Sequence, residues 1–248
     1  MTRRRSFRAG GWWLGVATCA GALLFGAAPA RAQDAAAARP LPAHELGNHQ
    51  QNVRLEIGAR TQFVNSRGLD PFSTNDVLPQ LSFGASFAFW RQDRLSLAAM
   101  AGFDYGGKHA NLRSDQAWLD LKRFTLAPEA RYHVLRILAL TARVGPTLTR
   151  EGAEVQGPLG AMLKTGWKFG VDATAGAALE VWGYESGASR KPRLWVMGEG
   201  GYGWTAPMSL VFTPENSASV PQRLTALDLG ELSVAGPLFR ITAGVSFW

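Results

Sequence analysis

In the stretch VRLEIGARTQF, Arg54, Glu56 and Arg60 fall on one phase of a two-residue period, and Val53, Leu55, Ile57, Ala59 and Phe63 fall on the other. A period of two is the repeat of a β-strand, whose side chains point alternately to its two faces. The alternation recurs in seven further stretches: Leu81–Phe89, Leu95–Tyr105, Arg123–Tyr132, Leu138–Gly145, Trp167–Val181, Arg193–Trp204 and Phe239–Phe247. Within a stretch the charges agree on one phase, as Lys168, Asp172 and Glu180 do in the sixth. Beyond residue 32 no window holds about 18 consecutive apolar residues, so a membrane-spanning helix is not predicted. The expected fold class is all-β, with a sheet whose two faces differ sharply in polarity.

The connections alternate in length. WRQDR, HVLRI and WGYESGASRKP join strands two to three, four to five and six to seven, whereas the joins over 65–80, 106–122, 149–166 and 205–237 are long. Short turns at one end and long loops at the other describe an antiparallel up-and-down β-barrel of the transmembrane kind. Eight strands are expected. The last long join leaves ten as the alternative, because it has room for a protruding hairpin or for a further strand pair.

Arg3, Arg4, Arg5 and Arg8 precede an uncharged run from Trp12 to Ala30, and Ala30-Arg31-Ala32 supplies a small-x-small cleavage site. Residues 1–32 therefore read as a secretory signal peptide. Thr18 before Cys19 argues against a lipoprotein signal. Residues 33–52, rich in Ala, Pro and Gln, read as a flexible periplasmic leader, and residues 53–248 as the barrel. Cleavage takes away five of the 26 basic residues and none of the 19 acidic ones. A net charge of +7 thereby becomes one of about +2, which removes the case for a nucleic-acid partner. Cleavage also removes the single cysteine, and with it thiol, disulfide and zinc-thiolate chemistry.

Alternation alone does not say which face looks outward: a soluble barrel encloses its apolar face, and a membrane barrel turns it to lipid. The aromatic residues separate the two cases. Phe89, Trp90, Tyr132, Trp182, Phe247 and Trp248 gather at the short-turn ends, Tyr105, Trp167, Tyr202 and Trp204 at the long-loop ends, and Ala, Val, Leu and Gly fill the middles. Two aromatic belts around an aliphatic band match the two boundaries of a bilayer.

In this pattern the chain resembles the small bacterial outer-membrane β-barrels of the OmpA-transmembrane and OmpX type. The resemblance covers residues 53–248 and lies in patterning, with no diagnostic motif. It implies an outer-membrane location in a Gram-negative envelope and contact with outer-membrane lipids and lipopolysaccharide. It further implies recognition of the C-terminal strand by the outer-membrane assembly machinery, and a monomer. In that family the terminal aromatic belongs to the lipid-facing phase; here Phe247 is in phase and Trp248 is one residue out.

The interior of an eight-stranded barrel is filled by its own side chains. Arg143, Asp172 and Glu199 are expected near mid-height on neighbouring strands, with Arg54, Glu56, Glu129, Arg131 and Glu180 nearer the short-turn end. Enclosed opposite charges are expected to pair, since an isolated buried charge is costly. The function read from this is structural or surface interaction, with long extracellular loops and a side-chain-plugged lumen. A small ion or solute channel and a lipid A-modifying enzyme are the alternatives. No catalytic constellation, metal cluster or cofactor motif is legible. His109, with Asp104, Ser114 and Asp115 nearby in sequence, is read as a solvated loop residue, His133 as part of a short turn, and GEGGYG (198–203) as strand glycines.

Overall fold

The computed structural model describes residues 52–112, 115–157, 160–183, 192–212 and 227–247. The signal peptide, nearly all of the leader, and Trp248 lie outside them. Among the described residues ten strands run in chain order: β1 (Val53–Phe63), β2 (Val77–Gln92), β3 (Leu95–Leu112), β4 (Asp115–Leu135), β5 (Leu138–Gly157), β6 (Gly160–Trp182), β7 (Arg193–Thr205), β8 (Met208–Phe212), β9 (Leu227–Leu232) and β10 (Gly236–Phe247). Eight of them close an antiparallel barrel in the order β1-β10-β7-β6-β5-β4-β3-β2, while β8 and β9 form a separate two-stranded sheet. The ten-strand barrel is thereby corrected: the extra pair exists but is not inserted into the ring. β10 closes the ring on β1, from Val53 opposite Phe247 to Gln62 opposite Leu238. Closure leaves neither strand with an unpaired edge.

The charged phase points inward. Arg54, Glu56 and Arg60 are buried, whereas Leu55 and Ile57 are about half exposed on the outer face. The same holds around the ring, with Phe87, Leu126, Val144 and Ile241 outward and Ser86, Glu129, Arg143 and Arg240 inward. The turns at one end are tight. Gln92 pairs with Leu95 and Leu135 with Leu138, leaving two-residue loops, and Asp93 takes the left-handed conformation (φ 50°) that such hairpins need. His133 is accordingly a buried strand residue facing inward, not part of a turn.

Three β-bulges lie just before this turn end, at Ala88/Trp90, His133/Leu135 and Glu180/Trp182. A bulge inserts one residue and resets the side-chain phase. Phe89 with Trp90, Val134 with Leu135, and Val181 with Trp182 therefore all face outward, which explains how out-of-phase tryptophans join an apolar rim.

At the opposite end the barrel is uneven. β4, β5 and β6 run for 21, 20 and 23 residues against 11 to 13 in β1, β7 and β10. The segments 106–122 and 149–166, expected as loops, are largely continuous strand that rises as a wall above the rest. They escaped the alternation because its polarity does not persist into the wall, and in β4 it inverts. In β4 the outward phase reads Tyr132, Ala130, Pro128, Leu126, Phe124 and then Lys122, Asp120; the inward phase reads Arg131, Glu129, Arg123 and then Leu121, Leu119, Ala117. The backbone register is unchanged across the switch, where Lys122 faces Arg150.

Over the inward face of this wall lies an apolar cluster in which the β8–β9 hairpin contributes Met208, Leu210, Phe212 and Leu232, and the wall Leu119, Leu121, Ala153 and Val155. Val64, Leu69, Phe72, Leu78, Val234 and the wall's Ala117 complete it. The connection after β1 includes a 3-10 turn, Arg67–Leu69, set against the hairpin. Gly68 permits the approach, since a Cβ there would stand 2.3 Å from the carbonyl oxygen of Glu231.

Candidate functional site

The inward side chains form an ion-pair network in two tiers. In the tier nearer the turn end, Glu129 is fully buried and sits 2.7 Å from Arg54 Nη2 and 3.1 Å from Arg143 Nε, with Arg131 as a third partner. Glu56 pairs with Arg143 at 3.0 Å and Arg54 at 3.3 Å. Arg131 also donates to Ser86 Oγ, and the Arg54 guanidinium lies 5.9 Å from the Trp195 ring. Strands β1, β4 and β5 supply the ion pairs of this tier, with Glu129 directly opposite Arg143 across β4 and β5.

In the second tier Arg60 reaches both Asp104 (2.9 Å) and Asp172 (2.5 Å), and Arg123 reaches Asp172 at 3.2 Å. Arg123 also donates to Thr149 Oγ1 and Thr205 Oγ1. Gln62 Oε1 accepts from Arg60 and Arg123, while Gln62 Nε2 donates to the carbonyls of Gly203 and Val234. Arg240 links the tiers, 3.3 Å from Asp104 and 3.6 Å from Glu199, and Glu199 lies 3.2 Å from Arg143. Glu180 stands apart near the turn end with Arg193 at 3.6 Å.

The structure thus joins Arg143 to Glu199 but places Asp172 in the other tier, among Arg60 and Arg123. Arg60, Asp104, Arg123 and Arg240 are network members that the sequence reading left out. All four were on the polar phase, which was the available signal, but which of them meet depends on the stagger of the closed barrel. Buried charges among the described residues come to seven arginines (54, 60, 123, 131, 143, 193 and 240) and seven carboxylates (56, 104, 129, 151, 172, 180 and 199). In number the buried guanidinium and carboxyl groups match.

Above the second tier, the apolar cluster is anchored by hydrogen bonds. Ser66 Oγ donates to the carbonyl of Glu231 and accepts from the Ser233 amide, and Ser233 Oγ donates to the carbonyl of Thr205. Glu151, on the wall beyond the outward Arg150, is fully buried on the inward face. Burial pushes its carboxyl up to about 7, although Arg123 and Lys168 act in the opposite direction.

The aromatic side chains named from the sequence point outward. At the turn end these are Phe89, Trp90, Tyr132 and Trp182; at the other, Tyr105, Trp167, Tyr202 and Trp204. Phe247 is half-buried, and Trp248 lies outside the described residues. Phe103, Phe124 and Trp167 form a run of ring contacts with centroids 4.9 and 6.2 Å apart. Immediately beyond, on the outside of the wall, is an open cleft of about 230 Å³ lined by Trp118, Asp120, Lys122, Arg150, Gly152, Glu154, Leu163 and Thr165. His109 is exposed on β3 opposite Trp118, while Asp104 is buried on the other face of the same strand. The two share no site; Ser114 lies outside the described residues. Among the described residues no group of three or more His, Asp or Glu side chains converges to hold a metal ion.

No family model and no curated protein sequence matches the chain. Among solved structures it is similar to Ail, the attachment invasion locus protein of Yersinia pestis, with a TM-score of 0.44 and 10% identity, covering 80% of this chain and 99% of that one. It is also similar to the outer membrane protease OmpT from Escherichia coli, with a TM-score of 0.41 and 9% identity over 79% and 96% of the two chains.

Proposed function

We propose that this chain is an exported, monomeric outer-membrane β-barrel whose lumen does not conduct and whose work is done on its outer surfaces: stabilising the envelope and presenting the raised wall of β3–β6. The observation that carries this reading is the stack inside the barrel, an apolar cluster resting on a buried ion-pair network. A solute path needs polar, hydrated walls from end to end; here the fully buried Phe72, Phe212, Leu210 and Leu232 occupy the end away from the tight turns.

The outer face supports the membrane half of the proposal. An 11-residue strand such as β1, tilted by about 40°, spans roughly 28 Å, close to a bilayer core. The band between the aromatic belts carries Leu55, Ile57, Leu126, Leu140, Val144 and Ile241 at 49% to 67% exposure, a surface that water would not tolerate at this extent. The N-terminal signal pattern supplies export, and closure of β10 on β1 gives the assembly machinery its C-terminal strand. Among the described residues no arrangement of nucleophile, base and acid favours the enzyme alternative.

Two measurements test the reading. The protein should fractionate with the outer membrane and shift its gel mobility on heating. Purified barrels in planar bilayers should show no steady conductance; sizeable sustained openings from pure protein would return the channel reading.

A further inference from the structure

Lys122 and Arg150 are direct partners on neighbouring strands β4 and β5, and both side chains are exposed on the outer face. Like charges placed directly opposite on a sheet repel and destabilise it. The barrel interior contains the same arrangement, Arg60 opposite Arg240, and there Asp104 bridges them, at 2.9 and 3.3 Å. On the outside no such bridge exists: among the described residues neither Lys122 nor Arg150 makes an ion pair. Lys122 has only the Tyr105 ring, 5.9 Å from its Nζ. Asp120, one outward position further along β4, is on the same face and forms no ion pair with either cation.

The height of this pair decides what can bridge it. Tyr105, Lys122, Arg150 and Trp167 form one outward row across β3–β6, and Phe103, Phe124, Leu148 and Phe169 form the row on the apolar side of it. On the other side is the cleft against Trp118. An apolar shelf, a cation pair at its border and a polar cleft with an indole beyond succeed one another within a few residues of each strand.

We propose that this outer face of β4–β6 is a binding site for a phosphorylated glycolipid of the surrounding leaflet. A phosphate seats between Lys122 and Arg150 and takes the part that Asp104 plays inside. The acyl chains lie on Phe124, Leu148 and Phe169, and the sugar enters the cleft beside Trp118, where its C–H face meets the indole and its hydroxyls meet Asp120, Glu154 and Thr165. A phosphodiester lipid without a saccharide would satisfy the cations but leave the cleft empty. The site rests on the membrane reading above.

The test uses the mature barrel in phosphatidylcholine vesicles containing lipid A, dephosphorylated lipid A, or phosphatidylglycerol at matched charge, with retained lipid measured by mass spectrometry. Lipid A should be retained selectively. Two charge-assisted contacts carry its phosphate, so K122Q/R150Q should weaken retention by at least about tenfold. W118A should weaken lipid A retention while leaving the weaker binding of phosphatidylglycerol unchanged. Unaltered retention by K122Q/R150Q, or equal retention of phosphatidylglycerol, would overturn the site. Heat-shifted gel mobility of every variant shows separately that the barrel itself has inserted; a wild-type chain that fails that check overturns the membrane reading and the site together.

Discussion

Arg60 and Arg240 stand directly opposite each other on β1 and β10, with Asp104 Oδ2 2.9 Å from one guanidinium and 3.3 Å from the other. Two like charges at the seam where the ring closes are held by a carboxylate that a third strand, β3, delivers between them, with Asp172 and Glu199 on their far sides. Removing that carboxylate leaves each guanidinium with one acidic partner, Asp172 on Arg60 and Glu199 on Arg240, and nothing between the two cations. Asp104→Asn should lower stability by about 3–5 kcal/mol, read as a fall in the urea midpoint of the refolded barrel. A loss below about 1 kcal/mol would mean that Asp172 and Glu199 suffice for both arginines.

The apolar cluster makes a separate prediction. Phe212 of β8 is fully buried against it, so Phe212→Ala should cost about 3–5 kcal/mol. Hydrogen exchange should show the loss first in β8, β9 and the wall, with the amides of β1 and β10 little changed.

Polarity inversion along β4 marks where the apolar surroundings end. Ala175 and Gln116 both point outward, Ala175 in the middle of β6 and Gln116 near the far end of β4. Ala175→Arg should destabilise the barrel in bilayers by about 2–4 kcal/mol, and Gln116→Arg by less than about 1 kcal/mol. Equal, small effects at both positions would contradict the membrane assignment. Arg at Thr174, the inward neighbour of Ala175, tests space in the lumen instead and should fail through packing.

Glu151 makes stability depend on pH. Its carboxyl is raised to about 7 in the folded barrel, mainly by burial and against the pull of Arg123 and Lys168. The folded state therefore holds this proton more tightly than the unfolded chain, whose carboxyl titrates near 4.5. The stabilisation is complete below about pH 4.5 and is lost as pH rises through about 7, by up to about 3 kcal/mol. Glu151→Gln should flatten that window in a series of unfolding midpoints; an unchanged slope between pH 5 and pH 8 would show that the group is ionised in the fold.

Much of the barrel was legible in the linear chain. Alternation is a local property, so Val53–Phe63 and Phe239–Phe247 announce both faces without reference to any partner. Short and long joins then dictate the up-and-down order. The phases of Arg54, Glu129 and Arg143 placed them inside before any contact was known. The wall was missed because Arg123 and Lys122 mark a reversal in which the inward phase turns apolar. A reading that follows one polarity per strand stops there.

What residues along the chain could settle was therefore periodic: which stretches are strands, which side chains share a face, and that both ends of the barrel segment are amphipathic strands able to close a ring. The tertiary structure alone decided everything that depends on the stagger of the closed ring and on distant returns of the chain. Asp172 meets Arg60 across 112 positions of sequence, and Ser66 meets Glu231 across 165. No local pattern encodes such pairings, because they arise from the tilt that closure imposes and from an apolar hairpin seeking cover over the wall.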